Sequence, residues 1–282
     1  MTGTIISFTS IPSRIGRLGP VVESLRNQTA KIDSIILWVP RNYRRAEFKN
    51  YTLPRPPGGV EICYCDVDYG PATKILPAAK AFANEDVRII YCDDDEIYEP
   101  DWAQTLVSAS EEYPDDCVAI NGLLAASVDH EVFSRSWRFR ALSLSTIGLY
   151  RRSYRRRAPW RRPGIGPVDI CQGFGGVLVR PKFFEPEVYE IPDVLWTVDD
   201  IWLSGHMVSN GITIRRVSDR KKCTKSELAG IDDLTSRSQK GIDRIKADHM
   251  CVAYYRNRYG IWPKATAGAR TSHVAGSRHK PA

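Results

Sequence analysis

The chain has 282 residues and a formal net charge of +7, with 43% hydrophobic and 26% charged residues. These values are typical of a folded globular protein and exclude an intrinsically disordered one. No apolar run approaches the roughly 20 residues of a membrane-spanning helix, and the N-terminal residues do not resemble a signal peptide. We therefore expect a cytoplasmic protein.

The positive charge favours an anionic partner, whether nucleic acid, anionic lipid or a phosphorylated small molecule, and does not choose among them. The seven cysteines show neither C-x-x-C nor zinc-finger spacing. A disulfide framework is not expected in a reducing compartment, so we predict that most of these thiols are buried.

The N-terminal half alternates strand-like and helix-like segments. Apolar, β-branched runs predict strands, and apolar residues spaced by three or four predict helices. The predicted strands are residues 4–8, 34–39, 60–65 and 87–91, and the predicted helices are residues 18–28 and 72–82. Because the strands are continuously apolar, they are expected to be buried on both faces, which predicts an α/β fold with a mostly parallel central sheet flanked by helices.

The C-terminal half is less regular. Its predicted elements are a helix at 102–112, a strand at 177–179, a helix from Asp199 to about Asn210 and a strand at 212–217. No interior linker argues for a division, so we predict a single domain over residues 1–262. A basic tail, residues 263–282, is predicted to be disordered.

Asp93-Asp94-Asp95 directly follows the predicted strand at 87–91. Side chains alternate along a strand, so Asp93 and Asp95 are expected on the same side. Ligands of open α/β sheets bind beyond the carboxyl ends of the strands, and two carboxylates there can share Mg²⁺ or Mn²⁺. The sequence therefore predicts a cation site, the alternative being a solvated acidic turn.

Three further segments carry candidate site residues. Lys74 follows Asp68 and a Gly-Pro turn, at the start of a predicted helix, where its ammonium group can pair with a phosphate. The glycines at 173–176 allow the backbone to approach a ligand closely, although they lack the dinucleotide-binding spacing. Asp199 and Asp200 begin a helix, and since capping needs only one carboxylate, the other is a candidate general base.

The most conspicuous basic feature is the segment 151–162, which holds seven arginines. It suits an anionic acceptor, the inner face of an anionic membrane or a nucleic acid, the alternative being a solvated loop. None of the five histidines pairs at a zinc-protease spacing. His249 is the candidate for a third metal ligand.

Taken in chain order, these segments resemble a glycosyltransferase of the GT-A fold, similar to bacterial family-2-like enzymes. The resemblance extends over roughly residues 4–217. It rests on Thr-Ser-Ile-Pro-Ser-Arg at 9–14, the stretch 68–74, the triplet 93–95, Gln-Gly-Phe-Gly-Gly-Val-Leu-Val-Arg at 172–180 and Val-Asp-Asp-Ile-Trp at 198–202. It implies a Rossmann-like nucleotide-sugar-binding domain, a donor expected to be UDP-linked, a carbohydrate or lipid-linked acceptor, and Mn²⁺ or Mg²⁺.

The same resemblance implies roles for individual residues. Asp95 would hold the metal on the diphosphate, Asp93 would face the ribose or the metal's water shell, and Asp94 would lie near the donor sugar. Asp200 would be the base of an inverting displacement, with Asp199 as its partner in the catalytic pair. The other residues expected at the donor are Thr9, Ser10, Arg14, Asp68, Lys74, Gly175 and Gly176.

Several alternatives stay open at this point. The Q-x-x-R-W segment of family 2 is not evident after the Asp-Asp pair, which argues against a processive synthase, and a retaining enzyme can carry the same acidic motif. Nucleic-acid binding through residues 151–162 explains the charge but not the acidic triplet, so no nucleic acid is expected as partner. A sugar nucleotidyltransferase would carry a Gly-rich loop after the first strand, where this chain has Thr-Ser-Ile-Pro-Ser-Arg.

Overall fold

The structure is a computed structural model, and it describes residues 2–49, 52, 55–129, 163–232, 238–239 and 241–264. The arginine cluster at 151–162 and the tail residues 265–282 lie outside the described residues. What the sequence predicts for them, including membrane contact, stays a prediction, as does the single domain over 1–262. Among the helices of the described ranges, none has the length and apolarity that a membrane crossing requires.

Fourteen strands are described, and most are short. They are β1 Gly3–Thr9, β2 Ser34–Pro40, β3 Glu61–Cys65, β4 Val87–Tyr91, β5 Glu96–Tyr98, β6 Cys117–Ala119, β7 Gly122–Leu123, β8 Gly166–Val168, β9 Ile170–Cys171, β10 Val177–Val179, β11 Ile214–Arg216, β12 Cys223–Lys225, β13 Ser238–Gln239 and β14 Ile242–Asp243.

Eight of these strands form the central sheet, in the order β3-β2-β1-β4-β10-β6-β11-β8. The first four run parallel to one another, and β6 and β11 are also a parallel pair, whereas β10 and β8 are antiparallel to their neighbours. The α/β prediction of a mostly parallel central sheet is confirmed.

Helices cover both faces of this sheet. They are α1 Pro12–Ile15, α2 Gly19–Arg26, α3 Leu76–Ala81, α4 Trp102–Glu112, α5 Asp199–Ser209 and α6 Arg244–Tyr259. Successive strand residues enter different cores: Ile6 of β1 packs in the cluster with α2 and α4, and Ile5 in the cluster with α3, α5 and α6. Burial on both faces explains the continuous apolar runs of β1, β2 and β4. The expectation is wrong for β3, because it lies at the edge of the sheet, where Ile62 and Tyr64 are 37% and 47% exposed.

Parallel pairing of β1 with β4 brings their carboxyl ends to the same edge. Ser7 of β1 lies in register with Tyr91 of β4. The loop after β1 and the acidic triplet after β4 therefore begin side by side, which is what a shared site requires.

The predicted helix at 72–82 is two elements instead of one. A 3-10 helix, Gly70–Lys74, is followed by α3, Leu76–Ala81. Pro77 has no amide N–H, so it cannot donate the α-helical hydrogen bond to the carbonyl of Thr73, and the helix is interrupted there. Lys74 thus lies at the end of the 3-10 helix, before α3 begins.

Helix α6 is one of the elements that sequence analysis missed, as are β6 and β8 of the central sheet. Its signals are nevertheless present in the sequence. The carboxylate of Asp243 caps it by accepting a backbone N–H three residues on, at 2.8 Å, and Gly260 ends it with a left-handed φ of 70°. Ala247, Cys251 and Tyr255, spaced by four, form its buried face.

All seven cysteines are free thiols, and five of them are buried: Cys92, Cys117, Cys171, Cys223 and Cys251. The prediction of mostly buried thiols is therefore confirmed.

Candidate active site

A cleft of about 570 Å³ lies at the carboxyl ends of β1, β2 and β4, where Thr9, Pro40 and Cys92 form part of its wall. Ten of the predicted site residues line it: Thr9, Ser10, Arg14, Asp68, Lys74, Asp93, Asp94, Asp95, Asp199 and Asp200. Residues distant in sequence thus meet in one concave site at the edge where open α/β sheets bind ligands.

Asp94, the middle residue of the triplet, is tied to the loop after β1. Its carboxylate accepts hydrogen bonds from the Ser10 hydroxyl and, at 2.6 Å, from Arg14 Nη1. The side chains of Arg14 and Asp94 are only 10% and 9% exposed. Burial raises the pKa of Asp94, and the Arg14 charge and the Ser10 hydroxyl oppose this rise. Through these contacts Asp94 fixes the triplet against the loop after β1. Its position near the donor sugar stays a prediction.

Lys74 joins the triplet to the pair of aspartates at the start of α5. Its Nζ lies 2.6 Å from Asp93 Oδ1 and 2.7 Å from Asp199 Oδ2. Burial disfavours the charged ammonium, but the charges of Asp199, Asp93 and Asp200 outweigh it and raise the pKa of Lys74 well above its ordinary value. Lys74 is therefore a fixed cation that holds both acidic segments together.

The pKa values of the two aspartates of the pair shift in opposite directions. Burial opposes ionisation of Asp199, but Lys74 and Arg244 outweigh it and lower its pKa. For Asp200, burial and the neighbouring charge of Asp199 raise the pKa well above the ordinary carboxyl range. Asp200 Oδ1 accepts a hydrogen bond from Gly173 N at 2.9 Å. Asp199 is thus held as an anion, and Asp200 is the member of the pair with the higher proton affinity.

Asp95 faces a basic residue of the neighbouring strand. The small sheet formed by β5 and β12 places Lys225 opposite Glu96. Lys225 Nζ lies 2.9 Å from Glu96 Oε1 and 3.6 Å from Asp95 Oδ2. The side chain of Asp95 is 15% exposed and that of Glu96 is fully buried. Asp95 is thus the carboxylate of the triplet with the loosest pairing to a base.

The wall nearest to β2 is organised by Asp68. Its two carboxylate oxygens accept the backbone N–H groups of Arg44 and Gly70, at 2.7 and 2.8 Å, and its carbonyl accepts the indole N–H of Trp196 at 2.9 Å. Burial raises the pKa of Asp68 in spite of these hydrogen bonds. Nearby, the hydroxyl of Thr9 donates a hydrogen bond to the carbonyl of Trp38 in β2. Asp68 therefore shapes the wall by bracing two loops.

Within the glycine-rich stretch at 173–176, Phe174 lines the cleft and the three glycines do not. A Cβ on Gly173 would lie 2.3 Å from Lys74 Nζ, so this glycine makes room for the buried ammonium. The carbonyl of Gly175 accepts the indole N–H of Trp102 at 2.7 Å, and Gly176, with φ of +91°, packs against the same ring. Gly175 and Gly176 therefore pack against Trp102.

The donor set at the triplet suits a hard divalent cation. Asp93 and Asp95 offer carboxylate oxygens at the cleft wall, and Mg²⁺ commonly binds through one or two carboxylates, with water and substrate phosphates completing its coordination. The described side chains contain no group of three or more His, Cys, Asp or Glu that could hold a metal. His249 does not line the cleft, and its role as third ligand stays a prediction.

Arg244 is a cleft residue that sequence analysis missed. It is the first residue of α6, and its Nε donates to Asp248 Oδ1 at 3.0 Å while its Nη2 lies 3.7 Å from Asp199 Oδ1. Burial opposes its charge, but Asp199 and Asp248 outweigh it and raise the pKa of Arg244. Recognition of the Asp243 cap would have found the helix, though not its packing beside α5.

The charge of the cleft is opposite in sign to that of the chain. Nine acidic and six basic side chains of the described residues line it, whereas the whole chain carries +7. A wall with an excess of carboxylates repels a bare polyanion and favours a cation. The cleft therefore favours a cation over a bare anion.

No known protein family and no curated protein matches this sequence. Among solved structures, the chain is similar to S. aureus TarS 1-349, with a TM-score of 0.45 and 10% identity, over 81% of this chain and 61% of that one. It is also similar to a structure of S. aureus TarS, with a TM-score of 0.49 and 10% identity, over 94% of this chain and 44% of that one. This chain spans less than two thirds of either. Similarity of this size establishes neither a family nor a function.

Proposed function

We propose that the protein is a glycosyltransferase of GT-A-like architecture, which moves a sugar from a UDP-linked donor to an acceptor hydroxyl with inversion. The observation that carries this proposal is the meeting of two acidic segments in one cleft at the edge of the sheet. Asp93 and Asp95 lie after β4, Asp199 and Asp200 lie at the start of α5, and the buried Lys74 joins the two segments by contacting Asp93 and Asp199. One segment suits the donor diphosphate and the other suits proton abstraction.

Asp200 has the chemistry that the transfer step requires. An acceptor hydroxyl must lose its proton as its oxygen attacks the anomeric carbon of the sugar, and we propose that Asp200 takes that proton in its ionised form, in which its raised pKa corresponds to a high proton affinity. The Gly173 N–H orients the Asp200 carboxylate at 2.9 Å. Lys74 holds Asp199 as an anion, and this charge keeps the proton affinity of Asp200 high.

The donor diphosphate is assigned to the acidic triplet, beside the pair at the start of α5. When bound by Asp93 and Asp95, a Mn²⁺ or Mg²⁺ ion would offset the charge that develops on the leaving nucleoside diphosphate. Ser10 and Arg14 fix the triplet through Asp94, so the two ligands are held on a rigid loop. The acceptor is proposed to be a carbohydrate or a lipid-linked glycan.

Donor binding and turnover can be tested on the purified chain. UDP-, GDP- and other nucleotide-sugars are compared by thermal shift with and without Mn²⁺, since a ligand that binds the native state raises its stability by mass action. We expect a Mn²⁺-dependent shift with one UDP-sugar. The same donor should release UDP, and Asp95→Asn should remove both effects. Asp66→Asn, a change at a side chain that is 90% exposed, is the matched control.

The outcome separates the proposal from its competitors. No shift with any nucleotide-sugar, or full activity of the Asp95→Asn variant in the presence of EDTA, would refute it. Consumption of pyrophosphate instead of release of UDP would indicate a nucleotidyltransferase. Salt-sensitive retention on DNA or RNA without donor binding would indicate a nucleic-acid-binding protein.

A further inference from the structure

Each carboxylate of the acidic triplet faces a base, but the three pairings differ in strength. Asp93 and Asp94 each contact a base at 2.6 Å, and the side chains of those two bases are only 4% and 10% exposed. Asp95 contacts Lys225 at 3.6 Å, and the side chain of Lys225 is 58% exposed. The side chains of the first two bases are enclosed by protein, whereas that of Lys225 is more than half exposed to solvent.

Lys225 is positioned by the ladder between β5 and β12. It pairs in register with Glu96, its Nζ lies 2.9 Å from Glu96 Oε1, and the N–H of Ser226 donates to the Asp95 carbonyl at 2.9 Å. Burial opposes the charge of Lys225, but Glu96 and Asp95 outweigh it and raise the pKa of Lys225. The backbone of β12 is therefore fixed beside Asp95, and only the end of the lysine side chain is free to move.

We propose that Lys225 is the resident counter-cation of Asp95 and that a divalent ion binds to the triplet by displacing its ammonium group. This inference rests on the proposed function, which assigns a divalent ion to Asp93 and Asp95. A carboxylate that ligates a small divalent ion lies about 2.0–2.2 Å from it. An ammonium group on the same carboxylate would then lie within a few ångströms of the ion, and the two positive charges repel each other.

Two consequences follow for this cleft. Lys225 weakens the divalent-ion site, so its removal should tighten binding by about tenfold, the order expected for deleting one nearby like charge in a partly hydrated site. Once displaced, the lysine end lies at the wall where the donor diphosphate is assigned.

The test is direct measurement of Mn²⁺ binding, by the EPR signal of the free ion, to the purified chain without donor. We compare wild type, Lys225→Met and Lys221→Met. Lys221 lines the same cleft but lies over the ring of Phe174, 5.0 Å from its centroid, which makes it the matched control. We expect about tenfold tighter Mn²⁺ binding for Lys225→Met, less than about twofold change for Lys221→Met, and loss of binding for Asp95→Asn.

Lys225→Met leaves the buried carboxylate of Glu96 without this partner. The comparison is therefore repeated in the Glu96→Gln background, where position 96 carries no charge that could destabilise the variant. Equal Mn²⁺ affinity with Lys225 or Met in both backgrounds overturns the inference while leaving a metal site, and so the proposed function, intact. Mn²⁺ binding to none of the proteins removes the metal site itself, and the inference with it.

Discussion

Replacing Lys74 by methionine removes the cation that joins the two acidic segments of the cleft. The side chains of Lys74 and Asp199 are 4% and 5% exposed, with 2.7 Å between Nζ and Oδ2. Breaking such a pair leaves a buried charge uncompensated, which costs about 3–5 kcal/mol of the free energy of unfolding. Methionine fills most of the lysine volume, so the loss reports on charge rather than on a cavity.

The measurement is urea-induced unfolding of wild type and Lys74→Met near neutral pH. Lys182→Met is the control, because Lys182 and its partner Asp115 are 63% and 82% exposed, and an exposed pair contributes less than about 1 kcal/mol. The double variant Lys74→Met/Asp199→Asn should be less destabilised than the sum of the two single changes, since the charge left unpaired by the first is removed by the second.

The pH dependence has a definite sign. In wild type the pKa of Asp199 is lowered in the folded state, so its contribution is present above the unfolded pKa and is lost as pH falls through the folded pKa. Without Lys74, Arg244 is the main group left to oppose burial at Asp199, so the pKa of Asp199 rises and its protonation relieves the charge that Lys74 had paired. The difference in stability between variant and wild type should therefore shrink on acidification. A loss below about 1 kcal/mol at neutral pH, or one that is independent of pH, would refute this account of Lys74.

Three further predictions concern the base, its neighbour and the helix packing. Asp200→Asn should lower turnover by about 10²–10⁴-fold, with the donor thermal shift unchanged. Wild-type activity should fall on acidification at a pH above the ordinary carboxyl range, because the pKa of Asp200 is raised. An unchanged turnover rate in the variant would exclude Asp200 as the base. Gly173→Ala should abolish UDP release, since its Cβ would lie 2.3 Å from Lys74 Nζ; retained activity would show that the ammonium can shift. Gly205→Ala places a Cβ 2.2 Å from the Tyr255 ring, between α5 and α6, and should cost about 1–3 kcal/mol in urea unfolding without changing donor affinity; wild-type stability would contradict this packing.

The fold could be predicted largely from local patterns. Continuous apolar runs identified the buried parallel strands, because burial on both faces of a sheet leaves no polar positions in the run. Burial on one face of a helix leaves a clear period. The bounds of β4 and α4 are therefore those that the sequence predicts. The interruption at Pro77 and the helix α6 were missed. The apolar spacing continues through Pro77, and only the missing N–H of this residue interrupts the helix. The start of α6 is marked in the sequence by its N-cap, Asp243.

The sequence by itself determined which residues could carry the chemistry, because acidic residues just after a strand of an α/β sheet must lie at its ligand-binding edge. Only the tertiary structure decided what each one does. Asp94 pairs with Arg14 across 80 residues of sequence. The pKa values of Asp199 and Asp200 shift in opposite directions, because Lys74 and Arg244 outweigh burial at Asp199, whereas burial and the charge of Asp199 dominate at Asp200. Such contacts depend on how distant segments pack, and neither spacing nor composition records that.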